Sequence, residues 1–288
     1  MLIEVLDEAL LHCVRAALAE DVGPGDITAD LIPSDRQAHA TVIAREPAVL
    51  CGMAWFDAVF AELDTRIAVD WQVKDGSRIK AGQPLCTLSG PARPILTGER
   101  TALNFLQTLS GTATLAHRYA ERVADLPVRL LDTRKTIPGL RDAQKYAVRT
   151  GGASNHRTGL YDGILIKENH ISAAGSIRQA VRDASRLHPG IPIEVEVERP
   201  DQIGEAIAAG AERLLLDNFS LAQLGDTVRQ VGGRVPLEAS GGITLDNLRD
   251  IAQTGVDFIS VGTLTKHIRA IDLSMRFEMV PGQVNATP

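Results

Sequence analysis

"IPIEVEVERPDQIGEAIAAGAERLLLD", residues 191–217, holds a strand, a helix and a second strand with short links between them. IPIEVEVE (191–198) alternates acidic and branched apolar side chains at a period of two, the period of a β-strand. PDQIGEAIAAG spaces its apolar residues as a helix does and stops at Gly, the usual C-terminal signal. RLLLD (213–217) is a short apolar run that ends in an acid. Two strands joined through one helix lie parallel, linked by a right-handed crossover.

The same unit recurs outward along the chain. VRLLD (128–132), GILIK (163–167), VPLEAS (235–240) and DFISVG (257–262) are further strand-like runs. The helical stretches DAQKYAVRTG, GSIRQAVRDASRL, SLAQLGDTVRQVG and TLDNLRDIAQTG lie between them. Consecutive units sit about 20 to 35 residues apart, as βα units do. Six such strands suit an open or incomplete βα barrel. They also suit a doubly wound sheet, although no GxGxxG follows the first strand.

The first 110 residues have another character. A helix over about 4–19 leads into the turn-rich EDVGPGDITADLIP. HATVIAREPAVLCG and the Gly-punctuated IAVDWQVKDGSRIKAGQPLCTLSG read as strands. ILTGERTALNFLQTLSGTATLAHRYAERV reads as one or two helices with Leu103, Leu106 and Leu109 facing a core. This is a smaller α/β domain over 1–110, ahead of a barrel domain over 111–269. From about residue 270 the chain returns to the smaller domain, with LSMRFEMV as a strand and PGQVNATP (281–288) read as disordered.

Composition narrows the function. The 288 residues are 44% hydrophobic, ample for a sizeable core, and the net charge of −6 argues against a general affinity for nucleic acid. No run approaches the roughly 18 apolar residues of a membrane span. The acids from Glu4 onward do not suit a signal peptide. Cys13, Cys51 and Cys86 form no CxxC and no metal-ligand spacing, so they read as free thiols of a reducing cytoplasm.

In a βα barrel the chemistry gathers at the C-terminal ends of the strands. Thr133, Arg134 and Lys135 follow the first strand, and Asn155, His156 and Arg157 lie in the loop beyond its helix. Lys167 ends the second strand, Asp217 the fourth, Ser240-Gly241-Gly242 the fifth, and Ser260 with Gly262 the sixth. Between Arg129 and Lys167 eight Lys or Arg face three Asp, against the acidic balance of the whole chain. Arg134, Lys135 and Lys167 extend strands that read as buried, so each needs an anionic partner. A small polyanionic ligand would supply it. The period of two places Glu194, Glu196 and Glu198 on one face, toward the barrel interior. Glu194 reads equally as a salt-bridge partner of Lys135 or Lys167. Glu196, nearer the strand end, and Asp217 suit sugar hydroxyls or Mg²⁺. The glycines of SGGITLDNL and ISVGTLT let backbone N–H groups approach a phosphate, helped by a helix starting after Thr244. A cationic region, a carboxylate region and a phosphate cradle together suggest a phosphorylated sugar and a second anionic substrate.

The motifs carrying these groups resemble the quinolinate phosphoribosyltransferase family, over nearly the whole chain. EDVGPGDIT, LTGERTALNFLQTLSGTAT, DTRKTIPGLR, KYAVRTGGASNHRTGLYDGILIKENHI, IEVEVE, LLLDN, ASGGI and GVDFISVGTLT occur in the family's order. The resemblance implies an N-terminal α/β sandwich domain and an incomplete parallel βα barrel of about six or seven strands. It implies a cytoplasmic homodimer that makes nicotinate mononucleotide, CO₂ and pyrophosphate from quinolinate and phosphoribosyl pyrophosphate with Mg²⁺. By the same resemblance Arg134, His156, Arg157 and Lys167 would meet the quinolinate carboxylates, with Arg100 reaching in from the partner subunit. Lys135 would touch pyrophosphate or substrate, Glu196 and Asp217 the ribose and Mg²⁺, and Ser240, Gly241, Gly242 and Gly262 the 5′-phosphate. Competing readings are a paralogue acting on nicotinate, a molybdenum-uptake homologue, a carrier hairpin around Lys74 or Lys80, and a non-catalytic dicarboxylate sensor.

Overall fold

The computed structural model describes residues 2–280, with side chains from residue 8 onward; PGQVNATP lies outside the described residues. In chain order, α1 (Leu2–Val22), β1 (Gln37–Ala44), β2 (Ala48–Val49), α2 (Met53–Leu63), β3 (Ala68–Trp71), β4 (Arg78–Ile79), β5 (Pro84–Pro91) and α3 (Ala92–Arg122) come first. Next come β6 (Arg129–Leu131), α4 (Arg141–Thr150), β7 (Ile164–Ile166), α5 (Glu168–Ala174), α6 (Ile177–Leu187), β8 (Ile193–Val197) and α7 (Asp201–Ala209). The chain closes with β9 (Arg213–Asp217), α8 (Leu221–Val231), β10 (Leu237–Ser240), α9 (Leu248–Ala252), β11 (Phe258–Ser260), α10 (Thr263–Lys266) and β12 (Leu273–Met279). Two compact units result. The first takes the chain through residue 114, residues 138–151 and residues from 268 onward; the second takes 115–137 and 152–267.

In the first unit an antiparallel sheet runs in the order β12-β1-β5-β3. LSMRFEMV does return, as β12, with Leu273 opposite Ala44 and Met279 opposite Ala38. Leu103, Leu106 and Leu109 of α3 are buried with Phe56 and Phe60 of α2 and with Leu85 and Leu88 of β5. The sequence pattern does not announce α2, because MAWFDAVFAEL is apolar nearly all round and shows little helical stripe. The Asp75 carboxylate caps it, accepting from Gly52 N–H at 3.0 Å and Met53 N–H at 3.3 Å. The sequence places α4 beside the first barrel strand, yet it belongs to the first unit. There the Tyr146 hydroxyl donates to Asp75 at 2.8 Å and its ring lies 5.4 Å from that of Trp55.

The second unit settles the choice between the two parallel architectures. Its six strands pair in the order β6-β11-β10-β9-β8-β7. Each strand joins its successor in one rotational sense and the last, β11, pairs in parallel with the first, β6. A doubly wound sheet would reverse direction at a switch point. The order is that of a βα barrel left open between β6 and β7, which share only a bridge from Leu131 to Ser154. That opening is why the barrel is incomplete. Val195, Val197, Leu214 and Leu216 are fully buried on one side of the sheet, and Glu194, Glu196 and Glu238 are buried on the other. Among the described residues no helix is long and apolar enough to cross a membrane.

One glycine of the first unit has no room for a side chain. A Cβ on Gly111 of α3 would strike the backbone carbonyl oxygen of Arg269 and come within 3.1 Å of its carbon. Gly111→Ala should therefore cost about 1–3 kcal/mol or more through overpacking, read as a lowered thermal midpoint; an unchanged midpoint would contradict this packing.

Candidate active site

A buried acid organises one side of the barrel mouth. Asp132, directly after β6 and fully buried, accepts from the Asn155 amide at 2.6 Å and from His156 N–H at 2.9 Å. These bonds tie the segment carrying His156 and Arg157 to the strand end that carries Arg134. The backbone of Lys135 is held from both sides. Its N–H donates to Thr133 Oγ1 at 3.1 Å, and the buried Thr265 hydroxyl donates to its carbonyl at 2.7 Å. Arg134, Lys135, His156 and Arg157 thereby line one cavity of about 310 Å³. Thr133, Lys167, Glu196, Ser240 and Ser260 open onto the same space. Glu238, which the sequence reading did not select, lines it too.

Asp217 ends β9 directly beside Ser240, the last residue of β10. Gly241 and Gly242 follow with φ of +97° and +59°, a turn that glycine enters without strain. Gly262 serves a different need: a Cβ there would meet Lys135 Cδ at 3.1 Å, so the glycine makes room for the lysine stem. Arg100 lies on the part of α3 that belongs to the first unit and is exposed.

Several sequence expectations need correction. Lys135 is exposed, so no burial penalty demands an anion there. Lys167 is 43% exposed and pairs with Glu196. Glu194 pairs with neither lysine; its partner is His156, with Nε2 at 2.9 Å. Glu198 lies just past β8, exposed, because the strand ends at Val197. The helix expected after Thr244 starts at Leu248 and is five residues long. The Asn247 side chain explains the delay: it accepts from Thr244 N–H at 2.8 Å and donates to the Gly242 carbonyl at 3.0 Å, competing with helical bonds.

The charges at the mouth form two layers. In the outer layer the Arg157 guanidinium donates to the Gly163 carbonyl at 2.9 Å. Burial, and after it the charge of Arg134, push its pKa down from the usual arginine value, as expected when like charges are held together. The Glu196 carboxyl is pushed up by burial, opposed by its bond to Lys167 and raised further by the charges of Asp217 and Glu168. The inner layer is carboxylate-rich. Glu238 is fully buried, 3.6 Å from His156 Nε2 and 3.3 Å from Arg213 Nη1. The Arg157 N–H donates to His156 Nδ1 at 2.7 Å, which leaves the ring proton on Nε2, facing the two acids. Burial, then the Glu194 charge, push the Glu238 carboxyl up to about 7 against the pull of His156, Ser260 and Arg213. Ligand atoms of His156, Glu194 and Glu238 lie within 4.8 Å of one another, the spacing of a metal site. His156 Nε2 stands against both carboxylates and Arg213 against Glu238, so the trio is an ion-paired cluster beneath the cavity.

Comparison with known proteins gives concordant matches. The model of the quinolinate phosphoribosyl transferase N-terminal domain matches residues 26–110, and that of the C-terminal domain matches residues 112–276. A probable nicotinate-nucleotide pyrophosphorylase (carboxylating) of Bacillus subtilis is 42% identical over 261 residues, 89% of each chain. The nicotinate-nucleotide pyrophosphorylase (carboxylating) of Mycobacterium leprae is 41% identical over 278 residues, 93% of this chain and 97% of that protein. The solved nicotinate-nucleotide pyrophosphorylase of Francisella tularensis superimposes with a TM-score of 0.91 at 47% identity, over 94% of this chain and 97% of that one.

The inner layer has a signature in stability. Glu238 holds its proton more tightly folded than unfolded, so its contribution is fully present below its ordinary value of 4.5 and is lost as pH rises through about 7. Glu238→Gln, which cannot ionise, should flatten the fall in thermal midpoint between pH 5 and pH 8. Parallel wild-type and variant curves would contradict the buried pair.

Proposed function

The chain belongs to the quinolinate phosphoribosyltransferase family, and we propose on that premise how this site carries out the family's reaction. The chain is a decarboxylating quinolinate phosphoribosyltransferase, a pentosyltransferase of NAD biosynthesis. It joins quinolinate (pyridine-2,3-dicarboxylate) to phosphoribosyl pyrophosphate and releases nicotinate mononucleotide, CO₂ and pyrophosphate. The observation that carries the reading is the cavity where Arg134, His156, Arg157 and Lys167 converge. Three cations, Arg134, Arg157 and Lys167, suit a dianion; a ring with one carboxylate would leave the mutual repulsion of Arg134 and Arg157 poorly relieved.

The chemistry divides among these residues. Arg134, Arg157 and Lys167 hold the ring carboxylates and aim the pyridine nitrogen at the ribose C1. The C1–O bond to pyrophosphate breaks with its electron pair leaving on oxygen, and Lys135 at the open edge of the cavity neutralises that charge. The nitrogen lone pair forms the new N–C1 bond, which makes the ring cationic. The bond from C2 to its carboxylate then breaks, CO₂ departs, and the pair left on C2 is stabilised by the adjacent positive nitrogen until a proton is taken up. Glu196 and Asp217 receive the ribose hydroxyls. Ser240, Gly241, Gly242 and Gly262 receive the 5′-phosphate, with Ser260 and Thr133 completing the wall.

The donor set at the ends of β8 and β9 fits Mg²⁺. Both donors are carboxylates, the hard oxygen ligands that ion prefers, and the Asp217 charge raises the Glu196 carboxyl, a repulsion that a cation relieves. Glu196 and Asp217 would hold the ion, which supplies positive charge to the leaving pyrophosphate. The working unit is a homodimer in which Arg100 of one subunit completes the partner's pocket. The setting is the cytoplasm, where the thiols of Cys13, Cys51 and Cys86 stay reduced.

The direct test is incubation with quinolinate, phosphoribosyl pyrophosphate and Mg²⁺, followed by detection of nicotinate mononucleotide and CO₂; consumption of nicotinate instead would support the paralogue. Arg134→Ala should raise the quinolinate KM by about tenfold or more, in line with loss of a charge-assisted bond, while the KM for phosphoribosyl pyrophosphate stays put. Equal weakening of both would contradict the assignment. Mixing Arg100→Ala with Lys167→Ala should restore part of the activity through hybrid dimers; no recovery after verified subunit exchange would count against shared sites.

A further inference from the structure

Asn218, the residue after Asp217, has φ of +58°, the left-handed region, and is the only non-glycine residue with positive φ among those described. Asn tolerates this region better than most side chains, yet a single outlier at the rim of a candidate site is a pointer to function rather than noise. Three contacts explain what the conformation achieves. The backbone N–H of Asn218 donates to the Ser240 carbonyl at 2.9 Å, so the residue stays in register with β10. Its side-chain amide turns back and donates to Asp217 Oδ2 at 2.7 Å. Its side-chain carbonyl occupies the space that a Cβ on Gly241 would need, and such a Cβ would also come within 2.9 Å of the Asn218 backbone nitrogen.

We propose that Asn218 is a positioning residue: its left-handed backbone lets one side chain fix the Asp217 carboxylate while resting on Gly241, so the carboxylate and the glycine turn are set as a unit. This deepens the reading of Asp217 as the group that receives ribose hydroxyls and Mg²⁺, and it rests on that reading. It also gives Gly241 a second reason to be glycine. Besides allowing a positive φ, its bare Cα leaves room for Asn218. An alkyl group at residue 218 could reach neither partner, and Asp there would set a second negative charge against Asp217 in place of a donor.

The test uses the full-length dimer with Asn218→Gly, Asn218→Asp, Gly241→Ala and Asp217→Asn. Binding of phosphoribosyl pyrophosphate with Mg²⁺ is titrated calorimetrically with benzene-1,2-dicarboxylate present, a dianion with no ring nitrogen to react. Asn218→Gly accepts positive φ freely, so its thermal midpoint should be kept. Its affinity for phosphoribosyl pyrophosphate should fall roughly tenfold, as for loss of one bond to a charged group, while the quinolinate KM is unchanged. Asn218→Asp should lose at least as much. Gly241→Ala combined with Asn218→Gly should be less impaired than the product of the two single effects, since both break one contact. Wild-type affinity in Asn218→Gly overturns the proposal, as does equal loss toward both substrates with a lowered midpoint, which would mark a merely structural role. Asp217→Asn separates the layers. If it binds phosphoribosyl pyrophosphate normally, the assignment of Asp217 falls and this inference with it. If it is impaired while Asn218→Gly is silent, only the positioning role is lost.

Discussion

Carboxylates buried inside a parallel sheet must be answered by positive or proton-donating groups, and in this protein that requirement shapes the barrel interior. Glu194 on β8 and Glu238 on β10 project from alternate strands into one layer, the arrangement by which barrels fill their centres. An uncompensated carboxylate there would cost several kcal/mol. Compensation comes from His156 above and Arg213 on the intervening strand β9, and by the retention of a proton on Glu238 near neutrality. His156 is consequently held at three points: the Arg157 backbone N–H on Nδ1, the acids beside Nε2, and the Asp132 carboxylate on the His156 backbone N–H.

What lies above this layer follows from it. The inner acids face His156 and Arg213, and Arg134, Lys135, Arg157 and Lys167 gather at the mouth around them. Lys167 pairs there with Glu196, which is itself drawn toward protonation by burial and by Asp217. Positive groups and two mutually repelling carboxylates, Glu196 and Asp217, thus meet at the mouth, and the proposed binding of an anionic ring beside a metal-linked sugar rests on that arrangement.

Much of this was legible from residue pattern. Strand period and helix punctuation located every barrel strand to within two residues or so, because short apolar runs bounded by Gly and charge have few other folds open to them. The strand-end rule then brought Thr133, Arg134, Lys135, His156, Arg157, Lys167, Glu196, Ser240 and Ser260 to one cavity. What escaped depended on three-dimensional partners. Glu238 and Arg213 sit mid-strand or at a strand's start, where a single charged letter in an apolar run has no sequence-local partner. Asn218 followed a residue already chosen, and its role depends on a backbone angle and on Gly241 twenty-three positions later. The membership of α4 in the first unit was hidden because its spacing from β6 suited a barrel helix. The burial expected of Lys135 failed because an apolar strand ends before its last charged residue does.

The central claim is that the mouth is built for two carboxylates on one ring. Titration of the wild-type protein with quinolinate and, separately, with nicotinate in a calorimeter at pH 7 and low salt measures this directly. The account expects quinolinate to bind more tightly by roughly tenfold or more, the value of one additional charge-assisted contact set, with the difference shrinking as salt screens the arginines. Equal affinity for the two acids, or a preference for nicotinate, would contradict it.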